Sequence, residues 1–244
     1  MYVNILSKVA ERLAKVGLET HPFKIGWYNE HVGEHFKFPL DYDTFALLVI
    51  STPDMFENGL WHFILREECT GTQDMLDTFL KEQFSAIKQM YADMDIEAIH
   101  DFEMLPNHRP RVLVQTAGHV SGAAYFYQQK DVHPNPWGDK KLFGVSIHPK
   151  YGGWFALRGV LIFKNVQCAE LPRLNPPDCV QSFELRKELL ERFNDRWQDW
   201  SYRDIIPVEH KYSERQKQYF GTLPKDRKAL IEKWKAGGES HCNL

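Results

Sequence analysis

The sequence predicts a mixed fold, α/β or α+β, built on a mainly central sheet. Three observations carry that expectation. Residues 45–50, Phe-Ala-Leu-Leu-Val-Ile, form an unbroken apolar run of strand length, as a strand buried on both faces does. Residues 4–16 and 73–92 instead space their apolar side chains at helical intervals. Candidate strands and helices then interleave along the chain.

The first helix, over 4–16, places Ile5, Leu6, Val9, Leu13 and Val16 on one face. Residues 22–29 read as an extended aromatic loop. After the strand at 45–50, Thr52-Pro53 marks a helix start, with a cap and a proline in the first turn. Phe56, Leu60, Phe63 and Ile64 follow at helical spacing. The helix at 73–92 turns Met75, Leu76, Phe79, Leu80, Ile87 and Met90 inward, with its methionines as core filler rather than ligands. A strand over 96–102 precedes a proline-bounded loop at 106–110.

Residues 110–116 read as a second buried strand, and 135–138, Asn-Pro-Trp-Gly, as a turn. Residues 145–147 and 154–163 read as strands joined by a turn at Tyr151-Gly152-Gly153. A proline-rich loop covers 171–179. A long helix over 183–200 carries Leu185, Leu189, Phe193, Trp197 and Trp200. The basic, aromatic tail contains Arg203, Tyr212, Tyr219 and Arg227 and ends in a frayed polar segment at Gly237-Gly238. One domain over 1–236 and a polar tail over 237–244 are expected.

Composition narrows the function. The chain has 244 residues, 43% hydrophobic and 26% charged, with a net charge of −3, as one soluble domain with a full core would have. That charge gives no electrostatic support to a nucleic-acid or anionic-membrane partner. The N-terminus lacks the unbroken apolar core of a signal peptide, and no stretch reaches transmembrane length. Cys69, Cys168, Cys179 and Cys242 are scattered with no Cys-x-x-Cys pair, so neither a zinc site nor an iron–sulfur cluster is signalled. A reduced, cytoplasmic protein is expected. No Gly-x-Gly-x-x-Gly, Walker or His-Glu-x-x-His sequence occurs, which weighs against a dinucleotide domain and a zinc hydrolase. Ser51 lacks a nucleophile elbow and reads as part of the helix cap.

The most informative stretch is 109–163. It joins an apolar run, the small residues Ala117, Gly118, Ser121, Gly122, Ala123 and Ala124, the run Tyr125-Phe126-Tyr127-Gln128, and the Gly-rich turn before Arg158. Small side chains let a bulky group approach the backbone. Aromatics with an amide are the usual lining of a cofactor pocket. From composition alone a well-packed sheet core with a tight turn is the favoured reading, because small and aromatic residues are common inside any domain.

This segment resembles the CblC (MMACHC) family of cobalamin-processing proteins. The resemblance rests on Gln115-Thr-Ala, His119-Val-Ser-Gly-Ala-Ala-Tyr-Phe-Tyr-Gln128, Pro136-Trp-Gly138 and Ile147-His-Pro-Lys-Tyr-Gly-Gly-Trp-Phe-Ala-Leu-Arg-Gly-Val160. Trp27-Tyr-Asn-Glu30, Leu48-Val-Ile-Ser-Thr-Pro53, Trp197-Gln-Asp-Trp-Ser-Tyr-Arg-Asp204 and Tyr212-Ser-Glu214 extend it over about the whole chain. More distantly, residues 148–155 resemble the cobalamin-binding part of epoxyqueuosine reductases. The resemblance sharpens the fold to an α+β (α/β sandwich), flavin-reductase-like or nitroreductase-type, with a mostly antiparallel central sheet flanked by helices.

The resemblance further implies cobalamin bound base-off, with Asp101, Val112, Leu113, Val114 and Gln115 near its nucleotide tail. Phe126, Tyr127, Gln128, Ser146 and Leu157 complete the implied pocket. Phe126 stands where the family often has tyrosine, and Ser146 where a cysteine can occur. His119-Val-Ser-Gly122 also resembles the Asp-x-His-x-x-Gly signature of proteins that ligate cobalt through histidine. Ala117 replaces that aspartate, so His119 lacks its orienting carboxylate and reads as structural. No protein ligand to the metal is expected.

Arg158, Arg203 and Arg227 match family positions that hold glutathione, a reasonable use of guanidinium groups against two carboxylates. Without the resemblance, Arg203 and Arg227 read as ion-pair partners, beside Asp204 and Asp226. The implied activity removes the upper axial ligand of cobalamins, by glutathione-dependent dealkylation or reductive decyanation. A flavin, FMN or FAD, is an implied electron donor. A CblD-type adaptor and methionine synthase or its reductase are implied partners. A flavin-dependent reductase without cobalamin and a non-catalytic carrier are the competing readings.

Overall fold

Six residues of continuous apolar sequence, Phe45 to Ile50, lie at the centre of the molecule. In the computed structural model, which describes residues 1–66 and 74–236, strand β2 (Thr44–Ser51) is buried at every position. It is flanked by β1 (Leu18–Lys24) and by β6 (Ala156–Gln167), and β6 in turn pairs with β3 (Ile96–His100). All three pairings of this β1-β2-β6-β3 sheet are antiparallel. β4 (Tyr125–Tyr127) and β5 (Val145–Ile147) form a separate antiparallel ribbon. The fold is α+β, with helices packed on an antiparallel sheet.

Helix α1 (Tyr2–Ala14) buries Ile5, Val9 and Leu13, three of the five members of its predicted face. Helix α4 (Met75–Met90) begins with Asp74, whose carboxylate accepts the amides of Leu76 and Asp77, a side-chain N-cap. It buries the predicted Met75, Leu76, Phe79, Leu80 and Ile87, but Met90, at its last turn, is 42% exposed. Most of these side chains form one core with the sheet. A smaller core joins β4 and β5 to α6 (Phe183–Asp195) through Tyr127, Ile147, Leu189 and Leu190.

Several expectations are corrected. Residues 22–29 are the end of β1 and a short helix α2 (Ile25–Asn29), not a loop. Thr52 does not cap a helix directly. Its hydroxyl donates to Gly17 O and accepts the Asp54 amide, and a π-helical turn (Phe56–Leu60) then runs into α3 (Trp61–Arg66). The segment 110–116 is not a strand: it enters helix α5 (Val114–Val120). A short apolar run does not distinguish a buried strand from a buried helix. What decides here is packing, because Gly118 brings α5 so close to β6 that an added Cβ would lie 3.0 Å from Leu157 Cδ2. The aromatic run after α5 is strand β4.

Helix α6 ends at Asp195, five residues early, and Trp200 takes a left-handed conformation, φ 61°. Leu185 and Trp197 are exposed. The tail folds as α7 (Glu214–Gly221) and α8 (Arg227–Ala236). Cys69, Cys242 and the 237–244 tail lie outside the described residues. Among those described, no helix is long and apolar enough to cross a membrane.

Candidate functional site

The Arg158-Gly159 pair interrupts the regular ladder of β6. Val49 pairs with Gly159 and Ile50 with Leu157, so Arg158 is the extra residue of a β-bulge. Bulges re-aim a side chain and often stand beside functional sites. Only glycine suits the following position: Gly159 has φ 138°, and a Cβ there would lie 2.2 Å from Ile99 O. Arg158 is buried, and its Nε donates to Ser51 Oγ at 2.9 Å. Among the described residues, neither of its terminal nitrogens has a hydrogen-bond or ion-pair partner. A fixed guanidinium with an uncommitted fork is a receptor for a carboxylate.

Two acids share this field. The Asp101 amide donates to Arg158 O at 3.2 Å, and Asp101 Oδ1 is buried without a partner. Burial pushes the Asp101 carboxyl above its usual range, against the pull of Arg158. Burial, then the charge of Asp74, also raises Asp77, while Lys81, Arg158 and Arg227 oppose the rise.

The other two predicted arginines are more committed. Arg227 Nη1 pairs with Asp74 Oδ2 at 3.0 Å and its Nε donates to Thr222 O at 3.2 Å. It does not use the adjacent Asp226. Arg203 Nη1 donates to Gly153 O. Asp204, its neighbour, instead accepts Trp154 Nε1 at 2.7 Å and pairs with Lys211 at 2.9 Å.

The predicted corrinoid contacts separate in the same way. Gln115 and Phe126 line an apolar cavity of about 530 Å³ with Phe143, Phe193, Trp197 and Tyr202. Phe126 and Gln128 line a second, of about 140 Å³, with His119 and Tyr125. Ser146 faces Phe126 across the β4–β5 ladder, and its hydroxyl is buried without a partner. Orphaned polar atoms such as these of Ser146 and Asp101 suit a ligand. Leu113, Val114 and Leu157 are half-buried beside the main core. Val112 and Tyr127 are buried. The Tyr127 hydroxyl donates to Asp178 Oδ1 at 2.8 Å and accepts the Val180 amide at 2.8 Å. It ties the ribbon to the 171–179 loop, and burial together with the Asp178 bond raises its pKa far above the ordinary tyrosine value.

Phe143 carries no motif and was not singled out from the sequence. Both its backbone groups are held by the Asn194 amide, at 2.8 and 3.0 Å, yet its ring is 81% exposed beside the larger cavity. Trp197 lies beside the same cavity, 57% exposed. Only the meeting of 143 with α6 reveals this pair.

His119 Nδ1 accepts the Phe126 amide at 3.2 Å, joining α5 to β4. That bond places the proton of the neutral ring on Nε2, which is then a donor rather than a ligand. The same reasoning applies to Glu19, His21 and His148, whose ligand atoms lie within 4.8 Å of one another. His148 Nδ1 accepts the amides of Lys150 and Tyr151, at 3.1 and 3.3 Å. Its Nε2 therefore presents N–H, whereas a ligating ring usually donates from the other nitrogen. Glu19 Oε1 lies 3.0 Å from His21 Nε2, and Glu19 Oε2 accepts from Tyr151 Oη at 3.1 Å. The His21 imidazole is the main cause holding Glu19 below the usual carboxylate range. The donor set is that of a hydrogen-bonded cluster.

Burial depresses His148 to about 4. The unfolded chain takes up this proton near the ordinary value of about 6.5, whereas the folded chain resists it until about pH 4. Stability from this group is therefore complete above about pH 6.5 and lost as pH falls through that window, by roughly 3 kcal/mol. Urea titrations from pH 7 to pH 4 should show this loss in the native protein and a smaller one in His148→Gln. Equal pH slopes for the two proteins would sink it.

Comparison with known proteins agrees with this architecture. The family model for methylmalonic aciduria and homocystinuria type C matches residues 17–231. A Gallus gallus protein named cyanocobalamin reductase / alkylcobalamin dealkylase is 49% identical over 228 residues, spanning 92% of this chain and 96% of its own. The Homo sapiens protein of that name is 42% identical over 224 residues, 92% of this chain and 79% of its own. The crystal structure of a Caenorhabditis elegans B12-trafficking protein, CblC, described as a human MMACHC homologue, superposes with a TM-score of 0.86 at 34% identity. It covers 100% of this chain and 98% of that one. The chain belongs to the methylmalonic aciduria and homocystinuria type C family.

Proposed function

We propose that this protein removes the upper axial ligand of cobalamins, dealkylating alkylcobalamins with glutathione and decyanating cyanocobalamin reductively. The supporting observation is Arg158: a buried guanidinium, aimed by a bulge, with its terminal nitrogens uncommitted among the described residues. The names of the relatives supply the substrate class. The apolar cavity beside Gln115 and Phe126 suits a flat aromatic base, which supports the base-off mode with the benzimidazole away from cobalt.

In the dealkylation, the thiolate sulfur attacks the carbon bound to cobalt. The S–C bond forms as the Co–C bond breaks, and its electron pair stays on cobalt. The products are a thioether and cob(I)alamin. Arg158 holds a glutathione carboxylate and so brings the sulfur into line. The thiolate is the nucleophile, and nearby guanidinium charge favours it over the thiol. Decyanation takes electrons from outside the chain: a reduced flavin, FMN or FAD, or glutathione is the donor in this reading. Activity in a reducing cytoplasm, with transfer of product to a CblD-type adaptor, completes it. We also assign the sheet to the flavin-reductase-like class.

An anaerobic absorption spectrum of the protein with methylcobalamin, before and after glutathione, tests the proposal. Conversion to the base-off spectrum on mixing, then to cob(I)alamin with glutathione, is the expected result. A base-off spectrum that glutathione leaves unchanged would make the protein a carrier. An unaltered spectrum with tightly held flavin would replace the reading by a flavin reductase.

A further inference from the structure

We infer that the smaller cavity, of about 140 Å³ beside His119 and Lys130, is a subsite for the sugar-phosphate arm of a nucleotide. Two ligands of this protein's chemistry carry such an arm: the benzimidazole nucleotide of cobalamin and the ribityl phosphate of FMN. The inference rests on the binding mode proposed above and says where the polar half of the ligand goes.

The two cavities adjoin. Phe126 lines both, and successive residues of α5 divide between them, Gln115 to the larger and Thr116 to the smaller. Their chemistry differs. The larger is walled mostly by aromatic rings and suits a flat base. The smaller is lined by His31, Thr116, His119, Lys130 and Asp131. In base-off cobalamin the base is joined to the rest of the molecule through a ribose and a phosphodiester. A base seated against Phe126 therefore carries sugar hydroxyls and a negative charge into its immediate surroundings.

The smaller cavity offers matching partners. His119 Nδ1 accepts the Phe126 amide at 3.2 Å, so Nε2 carries the proton. Burial, then the charge of His31, holds this ring below its ordinary pKa, which keeps it a neutral donor. His31 is arranged the other way. Its Nδ1 lies 2.8 Å from Trp27 O and must donate to that carbonyl, so Nε2 of the neutral ring accepts. One imidazole thus suits a phosphate oxygen and the other a sugar hydroxyl.

Lys130 stands exposed at the mouth. Among the described residues neither its ammonium nor the Thr116 hydroxyl has a partner. Charge-assisted bonds to phosphate are among the stronger hydrogen bonds, and a lysine supplies them as a point charge. Asp131 brings the opposing charge, but its Oδ2 is engaged by the Gln128 amide at 2.7 Å. Lys130 offsets it, and the histidines add polar contacts without adding charge. That balance suits a monoanionic diester better than a dianion.

Ligands that differ in the nucleotide arm read the subsite. Methylcobalamin would be compared with methylcobinamide, which lacks the nucleotide, and FMN with riboflavin, which lacks the phosphate. Each would be titrated by absorption or fluorescence into the native protein, Lys130→Ala and His119→Asn. Asparagine keeps an acceptor for the Phe126 amide and removes the Nε2 donor. Each variant should bind methylcobalamin about tenfold more weakly and methylcobinamide within about twofold of native. A loss confined to FMN, with riboflavin and both corrinoids unchanged, would support the subsite and give it to the flavin phosphate. Lys130→Ala decides alone if His119→Asn does not fold, because Lys130 is exposed. The inference is overturned if neither pair shows a selective loss in Lys130→Ala, whether both members weaken equally or neither weakens. A native protein that binds no corrinoid would sink the proposed function by itself, and the FMN and riboflavin pair would still decide the subsite.

Discussion

Arg158→Ala should raise the glutathione KM of methylcobalamin dealkylation by about a hundredfold while the base-off spectrum of bound cobalamin persists. Two hydrogen bonds from a charged fork to a carboxylate contribute roughly 3 kcal/mol, and about 1.4 kcal/mol is tenfold in affinity. The geometry makes the loss selective. Arg158 uses only Nε internally, on Ser51 Oγ, so truncation removes the uncommitted fork and one buried bond. Arg158→Lys should not rescue the enzyme, because an ammonium cannot hold Ser51 and a carboxylate in that planar arrangement. Steady-state rates at varied glutathione, with cobalamin saturating, give the answer. An unchanged KM with a lowered kcat would remove Arg158 from carboxylate recognition. The 2-mercaptoethanol rate of the same variant should stay near that of the native protein, because that thiol has no carboxylate for the fork to hold.

Gly159→Ala should be the most damaging small substitution in the sheet, lowering folding stability by about 3 to 5 kcal/mol in urea denaturation. Two penalties coincide at this position. The backbone has φ 138°, where a side chain is strained, and the new Cβ would lie 2.2 Å from Ile99 O and 2.9 Å from His100 Cα. The clash is with backbone of β3, so no rotamer relieves it. Relief requires β3 and β6 to separate, along the pairing from Ile96 to His100. Because Arg158 is the bulged residue beside it, activity should fall as well. A variant as stable as the native protein would show that the strand pair yields at little cost and that the bulge is not fixed by this glycine.

The smaller ribbon and the carboxyl-terminal helices show where sequence reading stops. Residues 45–50 announced the central strand because burial on both faces leaves no polar residue to confuse the pattern. Helices α1 and α4 were legible for a related reason: a stripe of apolar residues recurs over several turns. The 110–116 segment was misread because an apolar run this short serves either conformation. The early end of α6 was missed because Trp197 and Trp200 continue its apolar spacing, while their indoles answer to a cavity and to Arg203 instead.

For the site, the sequence by itself determined the family pattern, the Arg-Gly pair, the small residues of α5 and the Gly152-Gly153 turn. It also determined that no clustered cysteines or dinucleotide fingerprint were present. Only the tertiary structure decided which side chains remain uncommitted. Val112 and Tyr127 became core, Gln115 and Phe126 reached a cavity, and of three equivalent-looking arginines one was paired, one bonded to the Gly153 carbonyl and one left with a free fork. The physical reason is that a residue's chemistry is local but its partners are not. Ser51 lies 107 residues from Arg158 in sequence, and Asp74 lies 153 from Arg227. Those distances are closed only by the pairing of β2 with β6 and the return of the carboxyl-terminal segment to the start of α4.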